Sequence, residues 1–265
     1  MGDAVRNGRG DQRSRKLSAT ACGAALAYLV LWGPAAASSI VTFDPSGSAA
    51  TFPYAINSNG VVTGYYTDTS GIPRGFVRGS SGKISSFSIS GSTATIADSI
   101  NDSGTISGRY SDSKGVAHGF VRTSGGQLTT FSIPRSTGTS PAGINRNGTI
   151  TGYYTDASAA AHGFIRAANG KMATFSVSGA ASTYPFAISN DGVIVGTYAL
   201  NGVPHGFMRA SNGAITTFDP EGSVATQGYA VNSSGTTAGY FLTYSGSPAQ
   251  GFTRTADGIE LPLGH

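Results

Sequence analysis

Apolar and polar residues alternate along short segments throughout the chain after residue 40. Alternate positions of the segment 61–66, and of its counterparts further along, carry apolar side chains with one weak member: Val62, Ile106, Ile150, Ile194 and Thr237. A period of two places successive side chains on opposite faces of a β-strand. Short polar turns ending in glycine separate these segments. The pattern therefore predicts an all-β protein of short antiparallel strands.

The same pattern returns in five copies. The motif Gly-Phe-x-Arg begins at Gly75, Gly119, Gly163, Gly206 and Gly251, at intervals of 44, 44, 43 and 45 residues. An apolar residue and a polar turn ending in glycine precede each motif, as in 56–60. Even spacing of this kind is the signature of a repeat architecture.

Each copy contains four predicted strands. In the first copy they are the stretch ending at Ile56, residues 61–66, the Gly-Phe-x-Arg segment, and Ile84–Phe87. Four short strands per repeat of about 44 residues predict a five-bladed β-propeller of four-stranded antiparallel blades. An open β-repeat or solenoid array is the alternative. The repeats span about 41–87, 88–131, 132–175, 176–218 and 219–263.

The start of the first repeat copies a fourth strand. Residues 41–45 (Val-Thr-Phe-Asp-Pro) repeat the sequence of 217–220 (Thr-Phe-Asp-Pro). Many propellers close their ring by pairing strands from the two ends of the chain. We therefore expect this segment to complete a blade with the C-terminal unit.

Composition supports the all-β prediction and places the charge at one end. Glycine makes up 39 of the 265 residues, and charged residues only 11%. The formal net charge is +4, but residues 1–37 contain five basic and two acidic side chains, which leaves +1 for the rest. The basic balance thus gives no support for a nucleic-acid partner.

Residues 1–37 have the pattern of a secretion signal. Basic residues at 13–16 precede an apolar run at 19–32, and three alanines end at Ala37. A cut after Ala37 fits the rule for small residues at the cleavage site, and leaves 38–265 as a single repeat domain with no stable membrane insertion. An uncleaved N-terminal anchor is the alternative. We expect secretion, or a place in the periplasm or at the surface of a bacterium. Cys22, the only cysteine, lies in this segment, so disulfides cannot hold the mature domain.

The units resemble the HAF-type extracellular repeats of bacteria. The resemblance is carried by the Ile-Asn-x-x-Gly turn, an apolar-x-Gly-Tyr segment, and a His-Gly-Phe segment that is complete at His118, His162 and His205. Arg74 and Gln250 replace the histidine in the first and last units. The resemblance covers 40–263 and implies secretion and a β-repeat fold. It implies no activity, cofactor or catalytic residue.

The repeated polar and aromatic side chains are predicted to be structural. A metal site needs several ligands within about 2 Å of one ion, and equivalent positions of different blades lie too far apart unless they line the axis. We therefore expect the histidines to bond a neighbouring strand or turn, and each arginine to span a blade boundary; an anion-binding ring of arginines is the alternative. These predicted structural residues are Phe76, Arg78, His118, Phe120, Arg122, His162, Phe164, Arg166, His205, Phe207, Arg209, Phe252 and Arg254.

No catalytic, metal or cofactor site is predicted. Glycoside cleavage needs two carboxylates converging on one bond, and the acidic residues lie mostly in turns. Asp98 is the only acid that precedes a first-strand end, and it stands alone in the sequence. A glycoside-cleaving enzyme is therefore the least favoured function.

The most favoured function is binding, of a glycan or another extracellular partner, by a non-enzymatic protein. Tyr65, Tyr153 and Tyr240 recur at one position of the second strand, where Arg109 and Thr197 stand in the other two units. Exposed aromatic rings stack on sugar faces, so these tyrosines are the candidate ligand-binding residues. The alternatives are packing of these rings between blades and a structural surface scaffold without a small ligand.

Overall fold

The computed structural model describes residues 40–255, 257–258 and 260–262, and these form five four-stranded sheets. No helix occurs in that part of the chain. In each sheet the strands lie side by side in chain order, and every neighbouring pair is antiparallel. The prediction of a five-bladed β-propeller is confirmed, and we number its sheets blade 1 to blade 5.

The twenty strands are short and their bounds recur from blade to blade. Blades 1 and 2 comprise β1 (Ser48–Ile56), β2 (Val62–Asp68), β3 (Pro73–Arg78), β4 (Ile84–Phe87), β5 (Ala94–Ile100), β6 (Ile106–Ser111), β7 (Ala117–Arg122) and β8 (Leu128–Phe131). Blades 3 and 4 comprise β9 (Gly138–Ile144), β10 (Ile150–Thr155), β11 (Ala161–Arg166), β12 (Met172–Phe175), β13 (Ser182–Ile188), β14 (Ile194–Leu200), β15 (Val203–Arg209) and β16 (Ile215–Phe218). Blade 5 comprises β17 (Ala225–Val231), β18 (Thr237–Leu242), β19 (Gln250–Arg254) and β20 (Glu260–Pro262).

One detail of the predicted ring is wrong. Residues 41–45 form no strand, and the fourth strand of blade 5 is β20, which pairs with β19. Phe43 nevertheless packs edge-on against Phe76 of blade 1, with ring centroids 5.9 Å apart. The copied sequence therefore supplies an aromatic ring to blade 1 and no strand to blade 5.

An aromatic pair of one kind joins each of blades 2 to 5 to the blade before it, and Phe43 supplies the equivalent ring for blade 1. The last phenylalanine of a fourth strand meets the phenylalanine of the next blade's third strand, as Phe87 meets Phe120 at 5.8 Å. The arginine that follows the third-strand phenylalanine by two residues lies over the ring of the fourth-strand phenylalanine. Arg122 Cζ, for example, lies 5.0 Å from the Phe87 centroid. The pairs, with Phe43 in the first, are Phe43–Phe76, Phe87–Phe120, Phe131–Phe164, Phe175–Phe207 and Phe218–Phe252. Buried aromatic rings and a cation over a ring face thus hold neighbouring sheets together.

Glycine in the Gly-Phe-x-Arg motif makes room for that packing. A Cβ placed on Gly119 would lie 2.5 Å from the ring of Phe131 on the paired strand. No side chain fits at such a distance. The phenylalanine of the fourth strand therefore lies flat across the glycine of the third strand.

An asparagine in the turn after the first strand links each of blades 1, 2 and 3 to the blade that follows it. Asn57 Nδ2 donates to the carbonyl of Asn101, Asn101 to that of Asn145, and Asn145 to that of Ser189, at 3.0, 3.0 and 3.1 Å. Each of these asparagines also accepts backbone N–H bonds from its own turn. The Ile-Asn-x-x-Gly motif therefore shapes a turn and ties it to the neighbouring blade.

The predicted signal segment, residues 1–37, lies outside the described residues. Within the described part of the chain, no helix is long and apolar enough to cross a membrane.

Candidate functional site: the axial cavity

A β-bulge in the first strand of every blade points one residue toward the propeller axis. In β1 Pro53 pairs with Gly64 and Ala55 with Thr63, so Tyr54 is the extra residue. The other blades repeat this shift, and we call the five extra residues the bulge residues: Tyr54, Asp98, Ala142, Phe186 and Tyr229. Bulges commonly re-aim a side chain in this way.

A glycine of the second strand permits each bulge. A Cβ on Gly64 would lie 2.1 Å from the carbonyl oxygen of Phe52, and four further second-strand glycines show the same closeness: Gly108, Gly152, Gly196 and Gly239. The backbone of the first strand therefore approaches the second strand too closely for any other residue.

All five bulge residues line one cavity of about 730 Å³, which we call the axial cavity. Arg109, Ser140, Pro141 and Tyr153 complete its lining. Because each blade contributes its first strand to this one cavity, the five sheets surround a common axis. Cavities of this size hold small-molecule ligands in many proteins.

Aromatic rings form much of the wall. Phe186 of blade 4 stacks on Tyr229 of blade 5, with centroids 4.9 Å apart and ring planes 17° from parallel. On the blade 3 side, Tyr153 meets Tyr184 edge-on at 5.2 Å. Tyr229 remains 46% exposed and Tyr54 49% exposed, so part of each ring is open to a ligand.

Blade 2 contributes the two charged residues of the lining. Arg109 Nη1 donates to Asp98 Oδ1 at 2.5 Å, and the side chains are 35% and 8% exposed respectively. Asp98 Oδ2 is buried and has no hydrogen-bond partner among the described residues. Burial raises the pKa of Asp98 to about 7, because the loss of hydration outweighs the attraction of Arg109.

The three predicted ligand-binding tyrosines all lie beside the bulges, and one of them lines the cavity. Tyr153 is part of the cavity wall. Tyr65 stacks on Phe52 at 4.7 Å and meets Tyr54 edge-on at 5.4 Å. Tyr240 stacks on Tyr229 at 5.8 Å. Tyr65 and Tyr240 therefore support the bulge tyrosines, and their role in ligand binding stays a prediction.

The repeated histidines lie on the third strand of their blade and form hydrogen bonds with side chains in the loops that flank this strand. His118 Nδ1 lies 2.8 Å from Ser132 Oγ, and Nε2 lies 3.2 Å from Asp112 Oδ2. His162 makes the matching pair of bonds with Ser176 and Asp156, and His205 Nδ1 lies 2.8 Å from Asp219 Oδ2. Where arginine replaces histidine, Arg74 Nε bonds Asp68 Oδ2 at 2.7 Å. In the described part of the chain, no group of three potential metal ligands occurs.

The arginines of the repeated motif lie at the blade boundaries. Their guanidinium carbons lie 5.0 to 5.1 Å from the ring centroid that precedes each blade; they are Arg78, Arg122, Arg166, Arg209 and Arg254. None of them is among the residues that line the axial cavity.

The prediction that no second carboxylate lies beside Asp98 agrees with the lining of the axial cavity, but the sequence interpretation missed the ion pair that Asp98 forms with Arg109. Asp98 and Arg109 are 11 residues apart, but the register of β5 and β6 brings them together. A signal was present: both residues depart from the repeat, at positions where other blades carry aromatic or small side chains. Two departures on adjacent strands indicate a local function better than the repeated residues do.

Two smaller grooves repeat between blades. One of about 280 Å³ lies between blades 2 and 3 and includes Arg146 and Arg166, and one of about 220 Å³ lies between blades 3 and 4 and includes Asp191 and Arg209. Residues at equivalent positions of the repeat line both grooves, so the grooves are a consequence of how neighbouring blades pack. The axial cavity is larger and contains residues that break the repeat.

Comparison with solved structures finds other β-propellers. Virginiamycin B lyase from Staphylococcus aureus is 17% identical, with 80% of this chain and 69% of that chain covered and a TM-score of 0.53. TolB from Acinetobacter baumannii is 13% identical, with 77% and 52% covered and a TM-score of 0.57. A TolB-like protein from Agrobacterium tumefaciens is 11% identical, with 80% and 79% covered and a TM-score of 0.58. At these identities the likeness shows the fold alone. No protein-family profile matches the sequence, and no curated protein matches it.

Proposed function

We propose that this chain is an exported, non-enzymatic binding protein whose axial cavity holds a saccharide. One observation carries the proposal: the bulges of all five blades direct their side chains into a single cavity, and three of those side chains are aromatic. A repeat that served only to pack blades would not need rings half exposed at the axis.

The chemistry of the wall suits a sugar. The apolar faces of Tyr54 and Tyr153 offer stacking surfaces for the C–H face of a pyranose. The Asp98–Arg109 pair and Ser140 offer polar atoms to hydroxyl groups. Ligand sites of this kind combine apolar walls with a few polar groups that fix orientation.

Binding without turnover is favoured over glycoside cleavage. Glycoside hydrolysis by acid and base needs two carboxylates flanking the bond. Among the described residues that line the axial cavity, Asp98 is the only carboxylate. The expectation of a protein that binds and does not cleave rests on this lining.

Export is part of the proposal and rests on the sequence of residues 1–37. The basic stretch, apolar run and alanines are typical of a secretion signal. A saccharide-binding protein outside the bacterial cytoplasm, secreted, periplasmic or at the cell surface, meets such ligands in its surroundings. The resemblance to HAF-type extracellular repeats agrees with this location.

A glycan array with the purified chain tests the proposal. We expect retention of a saccharide class by the wild type, and loss of that signal in Tyr153→Ala, because the variant removes a ring from the cavity wall. Tyr244→Ala is the matched control, because Tyr244 is 61% exposed and lies outside the cavity lining. No retained saccharide at high protein concentration would favour a structural surface scaffold instead.

A further inference from the structure

The more exposed of the two charged groups in the axial cavity is the positive one. Arg109 and Asp98 are the charged residues of its lining, but Arg109 is 35% exposed and Asp98 only 8% exposed. A ligand entering the cavity therefore meets the guanidinium group first.

Arg109 has hydrogen-bonding capacity left for a ligand. A guanidinium group carries five N–H donors in a planar fork. Within the described part of the chain, the side-chain bond of Arg109 to Asp98 uses Nη1. The remaining donors have the geometry that binds a carboxylate through two parallel bonds.

A carboxylate beside Arg109 would also lie close to Asp98, and two ionised carboxylates repel each other at that distance. Asp98 can relieve this repulsion by taking a proton from solvent on Oδ2, the oxygen that has no hydrogen-bond partner among the described residues. Its burial already disfavours the charged form and raises its pKa to about 7. One O–H bond forms on Asp98, and the cavity then carries one net positive charge opposite one negative charge of the ligand.

Among the described residues of the cavity wall, no other charged group disturbs this balance. The titratable groups near Asp98 besides Arg109 are the tyrosines of the neighbouring blades, which ordinarily titrate near pH 10. Burial raises the pKa of Tyr54 and of Tyr229 above the ordinary value, so both stay neutral through the relevant range. The strand β9 contributes Ser140, Pro141 and Ala142, which do not titrate.

We propose that the axial cavity selects saccharides that carry a carboxylate, with Arg109 as the anchor and Asp98 taking up one proton as the carboxylate binds. The inference rests on the proposed function and narrows it to acidic sugars such as uronic acids. A cationic sugar is disfavoured because the exposed guanidinium would repel it.

Calorimetric titration of the purified chain with galacturonate and with galactose tests the inference, since the two sugars differ only at C6. We expect galacturonate to bind at least tenfold more tightly at pH 6, and to lose about tenfold in affinity for each pH unit above 7 because one proton is taken up. Asp98→Asn mimics the protonated acid, so its affinity for galacturonate should not depend on pH.

Two variants assign the anchor. The double variant D98N/R109Q leaves no unpaired buried charge, so it keeps the fold while losing the preference for galacturonate. Arg146→Gln is the matched control, because Arg146 is exposed and lies outside the cavity lining; it should bind as the wild type does.

The outcomes separate the two proposals. Equal binding of galactose and galacturonate, both sensitive to Tyr153→Ala, would overturn the inference and leave saccharide binding standing. A preference for galacturonate that persists in D98N/R109Q, or that Arg146→Gln removes, would also overturn it. Binding of neither sugar, with an empty glycan array, would overturn the proposed function as well.

Discussion

At the scale of single residues, Asp98 shows how burial changes the chemistry of a side chain. Its carboxylate is held by Arg109 at 2.5 Å, yet burial shifts the pKa upward to about 7. The turn carboxylates, which are less buried, behave in the opposite way. Hydrogen bonds to the charged form hold the pKa of Asp68, Asp102, Asp112 and Asp156 below the ordinary value.

Asp98 should make the protein less stable as pH rises from about 4 to 7. In this window the folded chain binds a proton at Asp98 that the unfolded chain has already released, so the free energy of unfolding falls by up to about 1.4 kcal/mol for each pH unit. Asp98→Asn removes this titration and should flatten the profile. Urea unfolding of both proteins at several pH values measures the difference. Parallel profiles would contradict the assigned burial effect.

The turn carboxylates do not obscure that measurement. Because their pKa values are lowered, their contribution to stability is lost only as pH falls below about 4. The wild-type and Asp98→Asn proteins share these groups, so the difference between the two profiles reports Asp98.

A glycine pair in blade 2 tests the packing at the same scale. Gly119→Ala places a methyl group 2.5 Å from the ring of Phe131, and should lower the free energy of unfolding by about 1 to 3 kcal/mol. Gly125→Ala is the control, because the nearest atom to its added methyl is 3.8 Å away. Chemical denaturation measures both, and equal losses would show that the aromatic ring does not set the requirement for glycine.

At the scale of elements, the turns after the first strands connect blades as well as strands. Asn145 is 4% exposed, donates to the carbonyl of Ser189, and accepts N–H bonds from Asn147 and Thr149. The Asn145 side chain therefore stabilises both its own turn and the contact between two blades.

Asn145→Ala should therefore cost about 2 to 3 kcal/mol of unfolding free energy, because it leaves buried backbone groups without partners. Asn147→Ala in the same turn is the control, since Asn147 is exposed and contributes its backbone N–H to the turn. Thermal unfolding compares the two. A loss confined to Asn147→Ala would contradict the role given to Asn145.

The sequence predicts the position of an element well where the residues that define the element recur in every repeat. The fourth strand of the first repeat has its predicted bounds, Ile84–Phe87, because a period of two and a flanking glycine turn define it; its counterparts are Leu128–Phe131, Met172–Phe175 and Ile215–Phe218. The bulges could not be predicted, because a bulge depends on the close approach of two backbones, which the pattern of side chains does not encode. The cavity was missed for the same reason. A strand without a bulge would place Tyr54 and Asp98 on a face of their sheet and not toward the axis.

At the scale of the whole molecule, each sheet covers its apolar faces with its neighbours around the axial cavity. Phe76, Phe120, Phe164, Phe207 and Phe252 are at most 2% exposed, and each packs on a ring from the preceding blade or, for Phe76, on Phe43. A blade removed from the chain would expose such a face. The architecture and its axial cavity therefore exist only when several blades pack together.

The arrangement of blades around one axis is tested most directly by distances between spin labels on the outer strands. The only native cysteine is Cys22, so replacing it permits labelled pairs that join position 85 of blade 1 to positions 129, 173 and 216 of blades 2, 3 and 4. Around an axis, the distance from blade 1 to blade 4 should be close to that from blade 1 to blade 3. An open row would add about 10 Å for each successive sheet; distances that grow in this way would contradict the propeller and the cavity at its centre.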